Sequence, residues 1–139
     1  MTNIVLDTNI LLIALPTKSK YRPIFDALLQ EKFILAVSTS ILNEYVEILG
    51  QKTTPIIANN VAEMLLNLKN VVKMEIYFRW NLIQNDYDDN KFVDCAIAAN
   101  AKFVVTNDKH FNELKTINFP SIQVTNADDF LKDLQNEII

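Results

Sequence analysis

The sequence predicts an α/β chain folded as a three-layer α/β/α sandwich, with a central parallel sheet of four to five strands. Two short apolar runs, Ile4-Val5-Leu6 and Phe103-Val104-Val105, stop abruptly at small polar residues, as strands buried on both faces do. Such runs alternate along the chain with longer segments of helical apolar spacing, which implies right-handed β–helix–β crossovers. Half of the 139 residues are hydrophobic and 22% are charged, enough for one ordinary core, so a single domain over residues 1–139 is expected.

The first strand covers about Asn3 to Leu6, and the apolar segment behind it runs to Leu15, where Pro16 interrupts. Pro23 suits a helix N-terminus, with Ile24, Leu28 and Leu29 on the buried side. A second strand follows from Phe33 to Val37, and Ser38-Thr39-Ser40 then offers N-caps for a helix to about Leu49, ended by Gly50. Pro55 opens a helix carrying Ile57, Val61, Met64, Leu65 and Leu68, followed by a short strand from Val71 to Met74. The apolar spacing from Ile76 to Ile83 predicts another helix, and Asn85 to Asn90 a polar turn. A strongly apolar helix from Phe92 to Ala99 leads into the Phe103 strand, and a helical turn carries Phe111 and Leu114. The last units are a strand around Ile122 to Val124 and a helix from Ala127, with Thr125 and Asp128 placed as a capping box.

Several chemistries are excluded by composition. Gly50 is the only glycine, so neither a G-x-G-x-x-G fingerprint nor a Walker A loop exists. His110 is the only histidine and Cys95 the only cysteine, which argues against an internal disulfide, a zinc site of the usual nitrogen and sulfur kind, and a serine triad. No apolar run is long enough for a transmembrane helix, and no basic-then-apolar leader opens the chain; a cytoplasmic protein with no membrane partner is expected. The net charge of −4 disfavours a broad electrostatic grip on nucleic acid, although bound divalent metal would reverse the sign of a carboxylate pocket.

Acidic residues carry the remaining chemistry. Asp7 and Asp108 follow the ends of two predicted parallel strands, where open sheets bind ligands. Each also fits an ordinary structural role, Asp7 as a strand end or helix cap and Asp108 as an N-cap. Asp94 is the only charge in the apolar helix, and a buried carboxylate needs a metal or an arginine to compensate it unless it faces solvent near the helix start. Glu44 projects to the edge of the apolar arc formed by Ile41, Leu42, Tyr45, Val46, Ile48 and Leu49. Asn9 is placed to orient the Asp7 carboxylate, Thr106 to bond a metal-bound water or a phosphate oxygen, and Asp89 to approach the same site. Asp128 and Asp129 suit a helix N-terminus. The set points to oxygen ligation of a hard cation, Mg²⁺ or Mn²⁺.

The motifs Ile4-Val5-Leu6-Asp7-Thr8-Asn9, Leu42-Asn43-Glu44-Tyr45, Asp88-Asp89-Asn90-Lys91-Phe92-Val93-Asp94-Cys95-Ala96 and Val105-Thr106-Asn107-Asp108 together resemble the PIN-domain nucleases, many of them VapC-type toxins of toxin–antitoxin pairs. The resemblance runs from Asn3 to Phe130-Leu131. It implies a PIN-like fold and a metal-dependent endoribonuclease whose acidic quartet, catalytic and metal-holding, falls on Asp7, Glu44, Asp94 and Asp108. Asn9 and Thr106 match the family's polar helpers, and Asp89 matches an acid that joins the site in one branch. Asn107 departs from the glycine or arginine common there. The resemblance also implies an RNA substrate, a cognate antitoxin and a homodimer, for which the apolar stretch from Ile56 to Ile83 is a candidate face.

Other classes remain open at this stage. One is an inactive PIN-like module that binds RNA or antitoxin. Another is an aspartate-dependent phosphatase or phosphate-accepting receiver domain, although Asn9 breaks the D-x-D pattern of haloacid-dehalogenase-like phosphatases.

Overall fold

In the computed structural model, which describes residues 1–84 and 86–139, five short strands form one parallel sheet. They are β1 (Asn3–Leu6), β2 (Ile34–Val37), β3 (Val71–Lys73), β4 (Phe103–Val105) and β5 (Val124–Thr125), in the spatial order β3-β2-β1-β4-β5. Flanking helices α1 (Thr8–Ala14), α2 (Arg22–Leu29), α3 (Thr39–Lys52), α4 (Pro55–Asn67), α5 (Asn90–Ala98) and α6 (Ala127–Gln135) complete the three-layer arrangement.

The chain leaves β1 toward β2 and β3 on one side, and later returns to place β4 and β5 on the other. The switch point therefore lies between β1 and β4, where open α/β sheets form their ligand crevice. Leu6 is in register with Val105, and the Asp7 amide donates to the Val105 carbonyl at 3.0 Å. The strand ends carrying Asp7 and Thr106 are thus level with each other. Ile4, Val5, Leu35, Val37, Val104 and Val105 are fully buried, which is why these strands read as continuous apolar runs.

The helix starts follow capping chemistry. The Ser38 hydroxyl accepts the Ile41 amide at 3.3 Å to open α3, and the Thr54 hydroxyl accepts the Ile57 amide at 3.2 Å ahead of Pro55 in α4. The helix α3 runs past the predicted stop: Gly50 keeps a negative φ, and the end comes at Lys52, where the Thr53 hydroxyl donates to the Leu49 carbonyl at 2.5 Å. At α6 the cap sits one residue beyond the predicted capping box. Asn126 accepts the Asp129 amide at 2.8 Å, while Thr125 belongs to β5.

The helix predicted from Ile76 to Ile83 does not form. Two local facts oppose it. Asn81 takes a left-handed φ of 52°, which breaks a helical run, and the buried Asn90 side chain accepts the Ile83 amide at 2.8 Å while donating to its carbonyl at 2.9 Å. Both hydrogen-bonding groups of Ile83 are thereby satisfied outside any helix. The predicted polar turn begins at Asn85, outside the described residues; from Tyr87 to Asp89 the chain makes a 3₁₀ turn that runs directly into α5. Among the described residues no helix is long and apolar enough to cross a membrane.

Candidate active site

Asp7 is the residue between β1 and α1, and its backbone carbonyl accepts the first helical amides, from Ile10 at 3.0 Å and Leu11 at 3.3 Å. Its carboxylate takes no part in capping. Instead Oδ2 accepts the Thr106 hydroxyl at 2.7 Å, and Thr106 Oγ1 in turn accepts the Asp108 amide at 3.0 Å. One buried threonine therefore joins the acids after both central strands. The orienting role expected of Asn9 falls to Thr106, and Asn9 is exposed. Burial raises the Asp7 pKa above its ordinary 3.8; the Thr106 bond and the Thr8 amide oppose this, and Glu44 and Asp108 add to it.

Glu44 reaches the same place from α3. One carboxylate oxygen accepts the Thr8 hydroxyl and the other pairs with Lys91 Nζ at 2.8 Å. Asp108 caps the 3₁₀ helix Lys109–Thr116 by accepting the His110 amide at 2.9 Å. Its side chain is one-third exposed, and its charge acts on both Asp7 and Asp89.

Asp89 closes the site at the entrance to α5. Its Oδ2 is buried and has no hydrogen-bond partner. Burial first, then the charges of Asp86, Asp108 and Asp7, push its pKa up to about 7, with His110 pulling the other way. His110 Nδ1 lies 3.4 Å from Asp108 Oδ1, 3.7 Å from Asp89 Oδ2 and 3.9 Å from Asp86 Oδ2. Asp86 and His110 are the members of this cluster that sequence reasoning passed over. The available signal was the three-residue spacing of Asp86 and Asp89, which eclipses side chains on a 3₁₀ turn, and the position of His110 two residues after Asp108.

Asp94 is placed differently. It is buried, as its apolar surroundings imply, but Oδ1 accepts the Trp80 amide at 3.0 Å. Burial raises its pKa, and the Trp80 amide and the Arg79 charge lower it. Its carboxylate opens on a cleft of about 280 Å³ lined by Ser38, Arg79, Asn81, Tyr87 and Lys91. Of the expected quartet the structure brings Asp7, Glu44 and Asp108 together with Asp89 and Thr106, and turns Asp94 toward Trp80 and Arg79. The neighbouring Cys95 thiol is pushed up to about 12, chiefly by burial, and is a packing residue. Asn107 accepts the Ala127 amide at 3.0 Å through its side-chain oxygen and so anchors α6.

Several carboxylates around one crevice, with a buried oxygen lacking any donor, form a donor set that suits a divalent cation. The family model for the PIN domain matches residues 3–110. The chain belongs to the PIN domain family. This PIN domain has the fold of VapC-containing complexes: the VapBC2 structure from Rickettsia felis, bound to a DNA fragment from its promoter, matches with a TM-score of 0.63 at 20% identity, covering 90% of this chain and 98% of that one. The VapBC-1 structure from nontypeable Haemophilus influenzae matches with a TM-score of 0.57 at 17% identity, covering 91% and 99%. A sarcin-ricin loop cleaving VapC toxin of Mycobacterium tuberculosis matches with a TM-score of 0.58 at 12% identity, covering 78% and 92%. No curated protein matches this PIN domain by sequence. PIN domains are typically nucleases, and at these identities the structural likeness speaks to fold.

Proposed function

We propose that this PIN domain, taken as one nuclease domain over residues 1–139, is a metal-dependent endoribonuclease that hydrolyses RNA phosphodiester bonds. The observation that carries the reading is the buried Asp89 Oδ2, which accepts no hydrogen bond and feels the charges of Asp7 and Asp108 at the sheet's switch point. Asp7, Glu44, Asp89 and Asp108 are the residues proposed to hold Mg²⁺ or Mn²⁺. When bound, the metal supplies an acidified water and charge neutralisation at the phosphoryl oxygens.

The chain's own residues do the positioning. Thr106 fixes the Asp7 carboxylate and the Asp108 backbone; Thr8 and Lys91 hold Glu44. Asp94 is given a positioning role, tying Trp80 and Arg79 to α5. Asn9, exposed beside Asp7, is kept as a substrate contact. Lys91 and Arg79 border the Asp94 cleft and are proposed to receive the phosphate backbone.

The likeness to VapBC complexes supports an antitoxin as cognate partner and a toxin role in the cytoplasm. Ile56, Ile57 and Leu66 are exposed on α4 and support a homodimer through that face. A second reading, a PIN module that binds RNA or antitoxin without cutting, is favoured by the Lys91 pair that occupies a Glu44 oxygen. Incubating purified protein with total RNA decides between them. Cleavage that requires Mg²⁺ or Mn²⁺ and disappears in EDTA and in Asp7→Asn is expected; metal-independent cleavage sinks the first reading, and binding without cleavage under Mn²⁺ establishes the second.

A further inference from the structure

We infer that Phe78, Trp80 and Phe119 form a stacking platform for the unpaired bases of an RNA strand, beside the acidic crevice and separate from it. The inference rests on the reading of RNA as the ligand of this domain, and adds where its bases lie. The three rings come from two distant segments: Phe78 and Trp80 precede α5, and Phe119 lies between the 3₁₀ helix Lys109–Thr116 and β5. The Phe78 and Trp80 ring centroids are 4.7 Å apart with planes at 64°, and those of Trp80 and Phe119 are 6.3 Å apart at 79°. Edge-to-face contacts of this kind leave ring faces uncovered.

Exposure is an independent observation. Phe78 is 62% exposed and Phe119 83% exposed, whereas Phe33, Phe92, Phe111 and Phe130 are buried in the core. Large apolar rings gathered in water beside a functional crevice mark a surface that a ligand covers.

The missing helix from Ile76 to Ile83 is what brings the first pair together. A helix would set Phe78 and Trp80 about 200° apart, and the irregular chain places both rings on one side. The segment is pinned along its length. The Trp80 amide donates to Asp94 Oδ1 at 3.0 Å, both groups of Ile83 bond Asn90, and the Gln84 amide donates to Glu113 Oε2 at 3.1 Å. A platform held in this way loses little freedom when a base settles on it.

Charge beside the rings selects the occupant. Arg79, between the two rings in sequence, is exposed and lines the Asp94 cleft with Lys91. Among the described residues Arg79 forms no ion pair. Lys91 Nζ pairs at 2.8 Å with Glu44 of the acidic crevice, so rings, cations and carboxylates adjoin in that order. A nucleic-acid strand fits the series, its bases on the rings and its phosphates on the cations. An apolar peptide would match the rings and leave Arg79 without a counter-charge. The net charge of −4 gives RNA little long-range attraction, and stacking supplies affinity from π-faces instead. Only bases free of a duplex can stack this way, so the ligand is single-stranded or looped RNA.

Trp80 is the only tryptophan in the chain, so its fluorescence reports on the platform. Full-length protein in EDTA, where no metal-dependent cleavage occurs, is titrated with a short single-stranded oligoadenylate. The strand should quench Trp80 emission; a ribose-phosphate strand lacking bases should not, and the oligoadenylate annealed to oligouridylate should bind more weakly. Phe78→Ala combined with Phe119→Ala should weaken oligoadenylate binding at least about fivefold, the lower end for one lost stacking contact. Both side chains are exposed, so the variant should fold. Absent quenching, equal binding of the base-free strand, or full affinity in the double variant overturns the inference, and the last hands this face to a protein partner. Quenching and weakened variant binding in a protein that cuts no RNA under Mn²⁺ uphold the platform and defeat the nuclease reading. Metal-dependent cleavage with full affinity in the double variant does the reverse.

Discussion

Thr106 Oγ1 donates to Asp7 Oδ2 at 2.7 Å and accepts the Asp108 amide at 3.0 Å, so a single hydroxyl sets two acids from two strands against each other. Partners that orient metal-holding carboxylates matter almost as much as the carboxylates themselves. Thr106→Val keeps the shape and removes both bonds. It should lower RNA cleavage by roughly 10–100-fold with kcat falling more than KM rises, and Thr106→Ser should recover most of the loss. Steady-state cleavage of a short RNA measures both, and an unaffected Thr106→Val would remove this hydroxyl from the mechanism.

Asp89 and Asp94 lie on one short segment and make separable predictions. Asp89→Asn removes a charge aimed at Asp7 and Asp108 and should cost more than ~10²-fold in cleavage, beyond the range of an outer partner. Asp94→Asn retains an oxygen for the Trp80 amide and should cost less than about tenfold, while Asp94→Leu should destabilise the fold by about 1–3 kcal/mol through the orphaned amide. Parallel cleavage and urea-unfolding curves distinguish them. A loss in Asp94→Asn as deep as that in Asp89→Asn would return Asp94 to the metal.

The acid cluster also sets a pH slope on stability. Asp89 holds its proton to about pH 7 in the folded chain against 3.8 for the free group, so between those values the folded state binds more protons than the unfolded one. Stability must then fall as pH rises through that window. The raised pKa values of Asp7 and Asp94 act in the same direction. The Tm of metal-free protein should drop from about pH 5 to about pH 7.5, and Asp89→Asn should flatten the slope. Mn²⁺ at a hundredfold excess over its Kd should add about 2.7 kcal/mol at neutral pH. Rising metal-free stability over this range would contradict the assignment.

Self-association is tested on α4. Ile56 is 73% exposed and Leu66 is 60% exposed, so Ile56→Glu and Leu66→Glu should change monomer stability by no more than about 0.5 kcal/mol. Sedimentation at micromolar concentration should show a dimer for wild type and a monomer for the double variant. Wild type sedimenting as a monomer would exclude this face.

The legible parts of the fold are those set by neighbours in sequence. Asp7 and Asp108 were readable because each follows an apolar strand, and the Leu6–Val105 register brings those strand ends level. The helical phase of Glu44 put it only at the edge of an apolar arc, a weak signal that gained weight beside the other acids. What escaped depends on contacts across the chain. The apolar spacing of Ile76 to Ile83 mimics a helix, and only the Asn90 side chain reaching back to both groups of Ile83 rules it out. Asp94 was readable as buried, but its direction depends on where that segment places the Trp80 amide. His110, a lone histidine without a second nitrogen or sulfur ligand nearby in sequence, acquires meaning only when the 3₁₀ turn brings Asp86 and Asp89 to it.

Asn70 offers a stability test removed from the site. Its buried Nδ2 donates to the Leu28 carbonyl at 2.9 Å and to the Phe33 carbonyl at 2.8 Å, while its own carbonyl accepts the Leu35 amide at 2.8 Å. One residue at the start of β3 thus ties down the end of α2 and the entry to β2, whose C-terminal end opens α3 and carries Glu44 toward Asp7. Asn70→Leu keeps the volume and strips both side-chain bonds, leaving two buried carbonyls without this donor. The loss should be about 2–3 kcal/mol in urea unfolding, with cleavage per folded molecule within about twofold of wild type. A variant as stable as wild type would mean that water replaces both bonds, and that the α2–β2 connection is more open than its burial indicates.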